Sequence, residues 1–211
     1  MEEQFASGGV RGVLHRPEQP GGDALILTHG AGSDSNTVLL TRVARAFEAS
    51  GYLVLRYDLP FRQMRKPPNP ANAVRDREGI LEAAAAIRSL TGGRLLAGGH
   101  SYGGRQTAMT AAEHPDLAAG ILLLSYPLHP PAKPQQLRTA FFPELRTPAL
   151  FVHGTRDGFG SPEELREAMA LISAPTDLLV VEGAGHDLKR AADLTADILT
   201  RLRALVCYPE S

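Results

Sequence analysis

The pentapeptide Gly99-His100-Ser101-Tyr102-Gly103 connects the apolar run Leu95-Leu96-Ala97 to a stretch of helical character that reaches Ala112. A serine in this setting is typical of a sharp strand-to-helix turn that exposes its hydroxyl group. Such a turn strains the backbone at the serine and leaves no room for side chains at the flanking glycines. The pattern predicts a nucleophile at Ser101. The alternatives are a glycine-rich turn without chemistry and a phosphate-binding loop, although the Gly-Lys-Ser/Thr ending of the latter is missing.

Similar apolar runs recur along the chain, and segments of helical periodicity follow them. Continuous apolar runs with little alternation indicate strands that are buried on both faces. The order of strand then helix, repeated, predicts an α/β fold: a doubly wound, mostly parallel sheet with helices on both faces, forming a three-layer sandwich. The other runs are Leu25-Ile26-Leu27, Leu53-Val54-Leu55, Ile121-Leu122-Leu123-Leu124, Leu150-Phe151-Val152 and Leu178-Leu179-Val180-Val181.

Apolar residues at three- to four-residue spacing predict four further helices. One of them has a defined start, because Ser161 can cap it, Pro162 suits the first helical position and Glu164 completes a capping box. The four stripes are Leu40, Val43, Ala44 and Phe47; Ile80, Ala83, Ala84 and Ile87; Leu165, Met169 and Ile172; and Leu194, Ile198, Leu202 and Leu205.

Two stretches rich in proline and basic residues, 59–72 and 129–147, fit neither a strand nor a helix. We interpret them as long loops, which are either functional segments or solvated connectors. No linker-like tract divides the 211 residues, so we expect a single domain spanning 1–211.

The composition restricts the partners and the cellular compartment. A net charge of −1 gives no indication of nucleic acid or of an anionic membrane surface as a partner. The single cysteine, Cys207, excludes an intrachain disulfide and a cysteine-based metal cluster, so a reducing compartment is expected. The start of the chain lacks the features of a secretory signal, and no apolar run is long enough to span a bilayer. These observations predict a soluble, cytoplasmic protein.

A serine nucleophile needs a base within hydrogen-bond reach, and the base needs an acid that orients it. Asp157 and His186 follow Ser101 in the order Ser, acid, His, and each comes just after a predicted strand. The carboxyl ends of such strands are where open α/β sheets bind their ligands. Asp157 could instead belong to an ordinary turn, and His186 could be a polar loop residue. Asp58 is a rival acid, but it precedes the serine.

The other histidines fit the role of base less well. His29 and His100 belong to tight turns, His114 ends a helix, and His129 lies in a proline-rich loop. His15 precedes the predicted sheet, and His153 lies in or barely beyond its strand.

A tetrahedral intermediate requires two hydrogen-bond donors for its oxyanion. We expect one to be the backbone N–H of Tyr102, the residue after the nucleophile. The other is expected from the loop Thr28-His29-Gly30-Ala31-Gly32, where the N–H of Ala31 is our choice. A turn that serves only packing is the alternative for this loop. The predicted chemistry uses no metal and no cofactor.

Together these segments resemble the α/β-hydrolase fold from about residue 24 to residue 206. More narrowly, the stretches 27–33 and 124–129 resemble a compact, dienelactone-hydrolase-like group whose members mostly have no assigned substrate. One member of that group is a scaffold subunit of a chromatin acetyltransferase complex. The resemblance implies a serine hydrolase with the triad Ser101, Asp157 and His186. True dienelactone hydrolases use a cysteine nucleophile, so the serine here argues against that particular activity.

The resemblance implies that the protein cleaves a small carboxylic ester or thioester through an acyl-enzyme intermediate. An alternative outside the enzymes is a non-catalytic scaffold or binding protein with the same fold. A further alternative, within the enzymes, is a peptidase. The expected partner is a small acyl substrate, with no nucleic acid and no membrane; the oligomeric state is left open.

Many relatives insert a helical cap between the strands near residues 124 and 149, where this chain has only a short proline-rich segment, so we expect no cap domain and an open site. The walls of such a site would have to come from two loop regions. For the aromatic residues of these regions, packing in the core is the favoured alternative, and for the basic residues it is exposure to solvent. These residues are Phe61, Arg62, Met64, Arg65, Lys66, Tyr126, Phe141 and Phe142.

Overall fold

The structure is a computed structural model that describes residues 1–189 and 194–207. The predicted domain 1–211 therefore includes residues 190–193 and 208–211, which lie outside the described residues. The strands are β1 (Glu2–Ser7), β2 (Val10–His15), β3 (Ala24–Thr28), β4 (Leu53–Tyr57), β5 (Leu95–His100), β6 (Gly120–Leu124), β7 (Ala149–Gly154) and β8 (Thr176–Val181). The helices are α1 (Val38–Ala49), α2 (Pro60–Gln63), α3 (Ala73–Arg88), α4 (Tyr102–Glu113), α5 (Pro162–Met169) and α6 (Thr195–Val206).

The eight strands form one sheet in the order β1-β2-β4-β3-β5-β6-β7-β8. Strands β3 to β8 pair in parallel, whereas β1 and β2 are antiparallel and occupy one edge. The order reverses around β3, so the carboxyl ends of β3 and β5 lie side by side at the position where open α/β sheets place ligands. The predicted doubly wound, mostly parallel sheet is confirmed.

Helices cover both faces of the sheet, because successive residues of a strand point to opposite sides. Leu25 and Leu27 pack in the cluster that contains the apolar residues of α1 and α6. Ile26, which lies between them, packs in the cluster formed with α3, α4 and α5. The three-layer arrangement is therefore confirmed, and each of the six predicted strands is present.

The amino-terminal hairpin β1–β2 was not predicted, and the placement of His15 before the sheet was wrong. His15 ends β2, pairs in register with Val54, and is fully buried. Its Nε2 accepts a hydrogen bond from Arg56 Nε at 2.8 Å, and its Nδ1 lies 3.1 Å from Glu48 Oε2. The hairpin escaped detection because β1 is an edge strand whose mostly polar residues remain exposed, so no apolar run marks it.

The helix starts and ends follow the sequence with small differences. The capping box of α5 is present: Ser161 Oγ accepts from the Glu164 N–H, and the Ser161 N–H donates to the Glu164 carboxylate. Ile172 lies beyond the end of α5 but is still buried, and Leu194 immediately precedes α6.

The two stretches interpreted as loops differ in structure. Residues 59–72 contain α2 and a 3-10 turn at Pro70–Asn72, and they lead directly into α3. Between β6 and β7, where residues 125–148 are all described, the only regular element is a 3-10 turn at Phe142–Glu144. No helical cap covers the carboxyl edge of the sheet at this point, as the sequence predicted.

Candidate active site

Ser101 lies in the turn between β5 and α4, with backbone angles of φ 50° and ψ −115°. A positive φ is unfavourable for a residue with a Cβ atom and persists only where the surroundings hold it. The Ser101 N–H donates to the carbonyl oxygen of Leu124 at 2.8 Å, which ties the turn to the end of β6. The strand-to-helix turn predicted from the pentapeptide is therefore present.

The two flanking glycines are sterically required. A Cβ atom on Gly99 would lie 2.8 Å from the backbone of Gly103 and Gly104. One on Gly103 would lie 2.5 Å from the carbonyl oxygen of His29 and 2.7 Å from Thr28 Cγ2. Helix α4 can thus approach β3 and β5 closely enough to place the Ser101 hydroxyl at the carboxyl edge of the sheet.

The side chains of Ser101, His186 and Asp157 form a continuous chain of hydrogen bonds. Ser101 Oγ lies 2.7 Å from His186 Nε2, and His186 Nδ1 lies 2.8 Å and 3.0 Å from the two carboxylate oxygens of Asp157. A carboxylate only accepts, so Nδ1 carries the imidazole proton and Nε2 is free to accept the proton of the serine hydroxyl. The three residues lie far apart in sequence and meet because each follows the end of a strand.

Asp157 is held in its orientation from two sides. Its side chain is fully buried, and its Oδ1 accepts the N–H of Phe159 at 2.9 Å. His153, which the sequence placed in or near its strand, lies within β7 and is buried beside Asp157, with Nε2 3.8 Å from Oδ2. The same Nε2 hydrogen-bonds to the carbonyl oxygen of Gly160 at 2.8 Å, so His153 holds the loop that carries Asp157.

His186 is positioned by residues that the sequence did not indicate for this role. His100 Nε2 donates to the backbone carbonyl of His186 at 2.8 Å, which ties the histidine loop to the residue before Ser101. Burial lowers the pKa of His100, which favours the neutral form of its ring. The ring of Phe159 packs against that of His186, with centroids 4.3 Å apart. No sequence signal marks these contacts, because they join segments of the chain that are distant in sequence.

Ala31 and Tyr102, the predicted oxyanion donors, both line the same cavity as Ser101. Within residues 1–189 and 194–207, no hydrogen-bond acceptor is found for either backbone N–H. The loop that carries Ala31 is held by His29, whose Nε2 accepts the N–H of Leu59 at 3.1 Å and whose Nδ1 lies 2.9 Å from the carbonyl oxygen of Gly30. Burial lowers the pKa of His29, which fits a neutral ring in this double role.

The cavity beside Ser101 has a volume of about 540 Å³. Its walls come from the segment before α3, the first turns of α3, the Ser101 turn with the first turns of α4, and four residues of other loops. None of the suggested wall residues lines it: Phe61, Tyr126 and Phe142 are core residues, Phe141 packs partly against the core, and Arg62, Met64, Arg65 and Lys66 are exposed. The favoured alternatives, core packing and solvation, hold instead. The lining residues are Ala31, Pro68, Asn69, Pro70, Ala73, Val74, Arg77, Ser101, Tyr102, Arg105, Gln106, Met109, Pro127, Arg138 and Phe159.

The rival acid Asp58 lies elsewhere. Its Oδ1 accepts the N–H of Ser35 at 2.8 Å and lies 3.6 Å from His29 Nε2, so it supports the Ala31 loop rather than His186. Within the described part of the chain, no group of three or more His, Cys, Asp or Glu side chains has the arrangement of a metal site. Among the helices of that same part, none is both long and apolar enough to cross a bilayer.

Known proteins share this architecture over nearly the whole chain. Est1E from Butyrivibrio proteoclasticus is 16% identical, with 98% of this chain and 99% of that chain covered and a TM-score of 0.78. The lid-less α/β serine hydrolase XC6422 from Xanthomonas campestris is 16% identical, with 100% and 96% covered and a TM-score of 0.79. A dienelactone hydrolase from Anabaena variabilis is 19% identical, with 96% of both chains covered and a TM-score of 0.73. The alpha/beta hydrolase domain family matches residues 21–204, and the chain therefore belongs to the α/β-hydrolase family, in its cap-less form.

Proposed function

We propose that the protein is a serine hydrolase that cleaves a small carboxylic ester or thioester through an acyl-enzyme intermediate. The observation that carries this proposal is the hydrogen-bond chain from Asp157 through His186 to Ser101, which ends at a strained turn on the wall of a cavity. Membership of the α/β-hydrolase family supports a hydrolytic reaction. The ester or thioester bond and the residue roles are our inference from the geometry.

In the first half of the reaction, Ser101 Oγ attacks the substrate carbonyl carbon while His186 Nε2 takes the hydroxyl proton. Asp157 holds the imidazole in the required tautomer and stabilises the imidazolium that forms. The N–H groups of Ala31 and Tyr102 donate to the oxyanion of the tetrahedral intermediate. His186 then gives its proton to the leaving alcohol or thiol, and the acyl group remains on Ser101.

In the second half, a water molecule takes the place of the leaving group. His186 Nε2 removes its proton, the resulting hydroxide oxygen attacks the acyl carbon, and a second tetrahedral intermediate forms at the same donors. Collapse of this intermediate breaks the bond to Ser101 Oγ, which recovers its proton from His186. The products are a carboxylic acid and the regenerated serine.

Turnover of p-nitrophenyl acetate and butyrate and of a matching thioester tests the proposal. We expect turnover by the wild-type protein, and acid quenching followed by mass spectrometry should find one acyl group on the peptide that contains Ser101. Ser101→Ala should lose at least about 10³-fold in kcat, a lower bound on the roughly 10⁶-fold loss that follows removal of a triad serine. Ser89→Ala is the matched control, because Ser89 is an exposed serine at the end of α3, outside the cavity.

Two outcomes would contradict the proposal. One is a folded Ser101→Ala variant that keeps wild-type turnover. The other is a folded wild-type protein that cleaves none of these substrates but binds a stoichiometric partner protein equally well with and without the Ser101 hydroxyl, which would favour the scaffold alternative.

A further inference from the structure

The cavity beside Ser101 is lined by three arginines and by no acidic side chain. One of the three, Arg77, is already partnered: its Nε lies 2.9 Å from Glu113 Oε2, and its Nη1 lies 3.4 Å from Gln106 Oε1. The other two, Arg105 and Arg138, form no ion pair with any carboxylate among the described residues. The cavity therefore carries two positive charges that the described protein does not neutralise.

Arg105 belongs to the first turns of α4, one turn after the candidate nucleophile. Its backbone N–H donates to the carbonyl oxygen of Ser101 at 2.9 Å, and four residues of helix rise by about 6 Å. The Nε of its guanidinium group is buried and has no hydrogen-bond partner among the described residues. A buried donor without an acceptor is costly. Arg105 as a whole is only partly buried and lines the cavity, so its side chain is accessible to an anion there.

Arg138 reaches the same cavity from the segment between β6 and β7. Its Nη1 donates to the carbonyl oxygen of Pro127 at 3.2 Å, and the remaining donors of the guanidinium have no carboxylate partner among the described residues. Burial lowers the pKa of Arg138, and the positive charge of Arg105 lowers it further. Both guanidinium groups also act on the Tyr126 hydroxyl, where they oppose the increase in its pKa that burial causes. Arg105 and Arg138 thus both lie on the wall of the same cavity, close to the Tyr126 hydroxyl.

The nearby carboxylate of Asp76, which lies behind Tyr102, does not line the cavity. Asp76 is buried, and its two oxygens accept the Tyr102 hydroxyl at 2.7 Å and the Phe61 N–H at 3.1 Å. An anion between Arg105 and Arg138 would neutralise the pair. Arginine suits a carboxylate especially well, because its planar donors match the two carboxylate oxygens.

Building on the proposed function, we propose that Arg105 and Arg138 bind a carboxylate on the acyl part of the substrate, which makes half-esters or half-thioesters of short dicarboxylic acids the preferred class. The assignment to the acyl part rather than to the leaving group is part of this proposal, and Arg105 lies one helical turn from Ser101. That spacing corresponds to a chain of a few carbon atoms between the scissile carbonyl and the second carboxylate. The rest of the wall, with Pro68, Val74 and Met109, suits the methylene groups between them.

The test compares esters that differ in one charge. Ethyl hydrogen glutarate and ethyl hydrogen adipate are each paired with the neutral ethyl ester of equal acyl length, pentanoate or hexanoate, and hydrolysis is followed by pH-stat at neutral pH. We expect kcat/KM to favour the anionic ester by about tenfold or more, the scale of charge-assisted hydrogen bonds. 4-Acetoxybutanoate, which carries its carboxylate on the leaving group, should not share this advantage.

Single substitutions test whether Arg105 and Arg138 cause the preference for the anionic ester. Arg105→Gln and Arg138→Gln should each bring the ratio of kcat/KM between the anionic and the neutral ester close to one. The change should come chiefly from a higher KM for the anionic ester. Arg75→Gln is the matched control, because Arg75 is an exposed arginine of neighbouring α3 that does not line the cavity, and it should keep the ratio. Competitive inhibition of wild-type pentanoate hydrolysis by free glutarate, weakened by added salt, tests the same site without any variant.

The outcomes separate this inference from the proposed function. Ser101-dependent hydrolysis of neutral esters with no preference for the anionic partner, and no inhibition by glutarate, would overturn the carboxylate site alone. An equal preference for 4-acetoxybutanoate would overturn its assignment to the acyl part. A folded wild-type protein that hydrolyses none of the esters would instead overturn the proposed function.

Discussion

At the scale of single residues, Ser101 combines a reactive position with an unfavourable backbone. Its φ of 50° places a residue with a Cβ atom in the left-handed region, which costs about 1–3 kcal/mol. The hydrogen bond from its N–H to Leu124 and the fit of the neighbouring glycines hold this conformation. The strain is the cost of projecting the hydroxyl away from the sheet toward His186.

We therefore expect the free energy of unfolding of Ser101→Gly to exceed that of Ser101→Ala by about 1 kcal/mol. Glycine removes the backbone strain, but its greater entropy in the unfolded chain offsets part of this gain. Both variants lack the hydroxyl, so the difference reports the Cβ atom alone. The free energies of unfolding in urea would measure it. A Ser101→Ala variant that is more stable than Ser101→Gly by about 0.5–1 kcal/mol, the full entropic cost of glycine, would show that the turn is not strained.

The roles around Ser101 were only partly readable from the sequence. The order of Ser101, Asp157 and His186 indicated three residues whose side chains are in hydrogen-bond contact in the structure, and their catalytic roles stay predictions. The contacts of His100 and His153 were not predictable, because each depends on a backbone carbonyl that only the folded chain brings near. That Arg105 forms no ion pair with a carboxylate was not predictable for the same reason. The absence of an ion pair can be recognised only when the spatial neighbours of the side chain are known.

At the scale of elements, β5 and α4 were predictable because apolar runs and glycine spacing act locally. The hairpin β1–β2 was not, because its strands are held by pairing at the sheet edge rather than by apolar burial of β1. The wall of the cavity also escaped prediction. Phe61, at the start of α2, is buried in the core and does not line the cavity. Residues further along the chain, from Pro68 into α3, line it instead.

The close packing of α4 on β3 gives a prediction for Gly103. Gly103→Ala should lower the free energy of unfolding by about 1–3 kcal/mol, as expected for overpacking, because its Cβ would meet the backbone of His29. Gly92→Ala is the control, because a Cβ atom there would meet nothing within 4 Å. Urea unfolding would compare the two, and equal stabilities would contradict the packing described for α4.

At the scale of the whole molecule, three buried histidines link stability to pH. Burial is the largest cause that lowers the pKa values of His15, His29 and His100 below their usual value of 6.5. When the pH falls through about 6.5, these side chains take up protons in the unfolded chain but not yet in the folded one. The free energy of unfolding must therefore decrease until the pH drops below the lowered folded-state pKa values.

We expect urea unfolding to show lower stability at pH of about 5.5 than at neutral pH. The carboxyl groups of Glu2 and Glu48, whose pKa values are lowered below 4.5 in the folded state, add a separate loss only at more acidic pH. A stability that stays constant or increases as the pH falls from neutral to about 5.5 would contradict neutral, buried histidines.

The whole-molecule architecture follows from the repeated strand-helix pattern, and the connection between β6 and β7, which contains only a 3-10 turn, leaves the carboxyl edge of the sheet without a cap. The family match covers residues 21–204 and thus nearly all of the sheet. A single domain over 1–211 stays a prediction, as do the expected compartment and partners, because these properties depend on more than the described fold.

The central claim is that Ser101 is an activated nucleophile, and labelling by a fluorophosphonate probe tests it most directly. The probe reacts with the serine that a neighbouring base activates. We predict that the native protein is labelled on the Ser101 peptide, that Ser101→Ala abolishes labelling, and that heat-denatured protein is not labelled. A native, folded protein whose Ser101 stays unmodified, or one labelled equally well after His186→Ala, would contradict the claim.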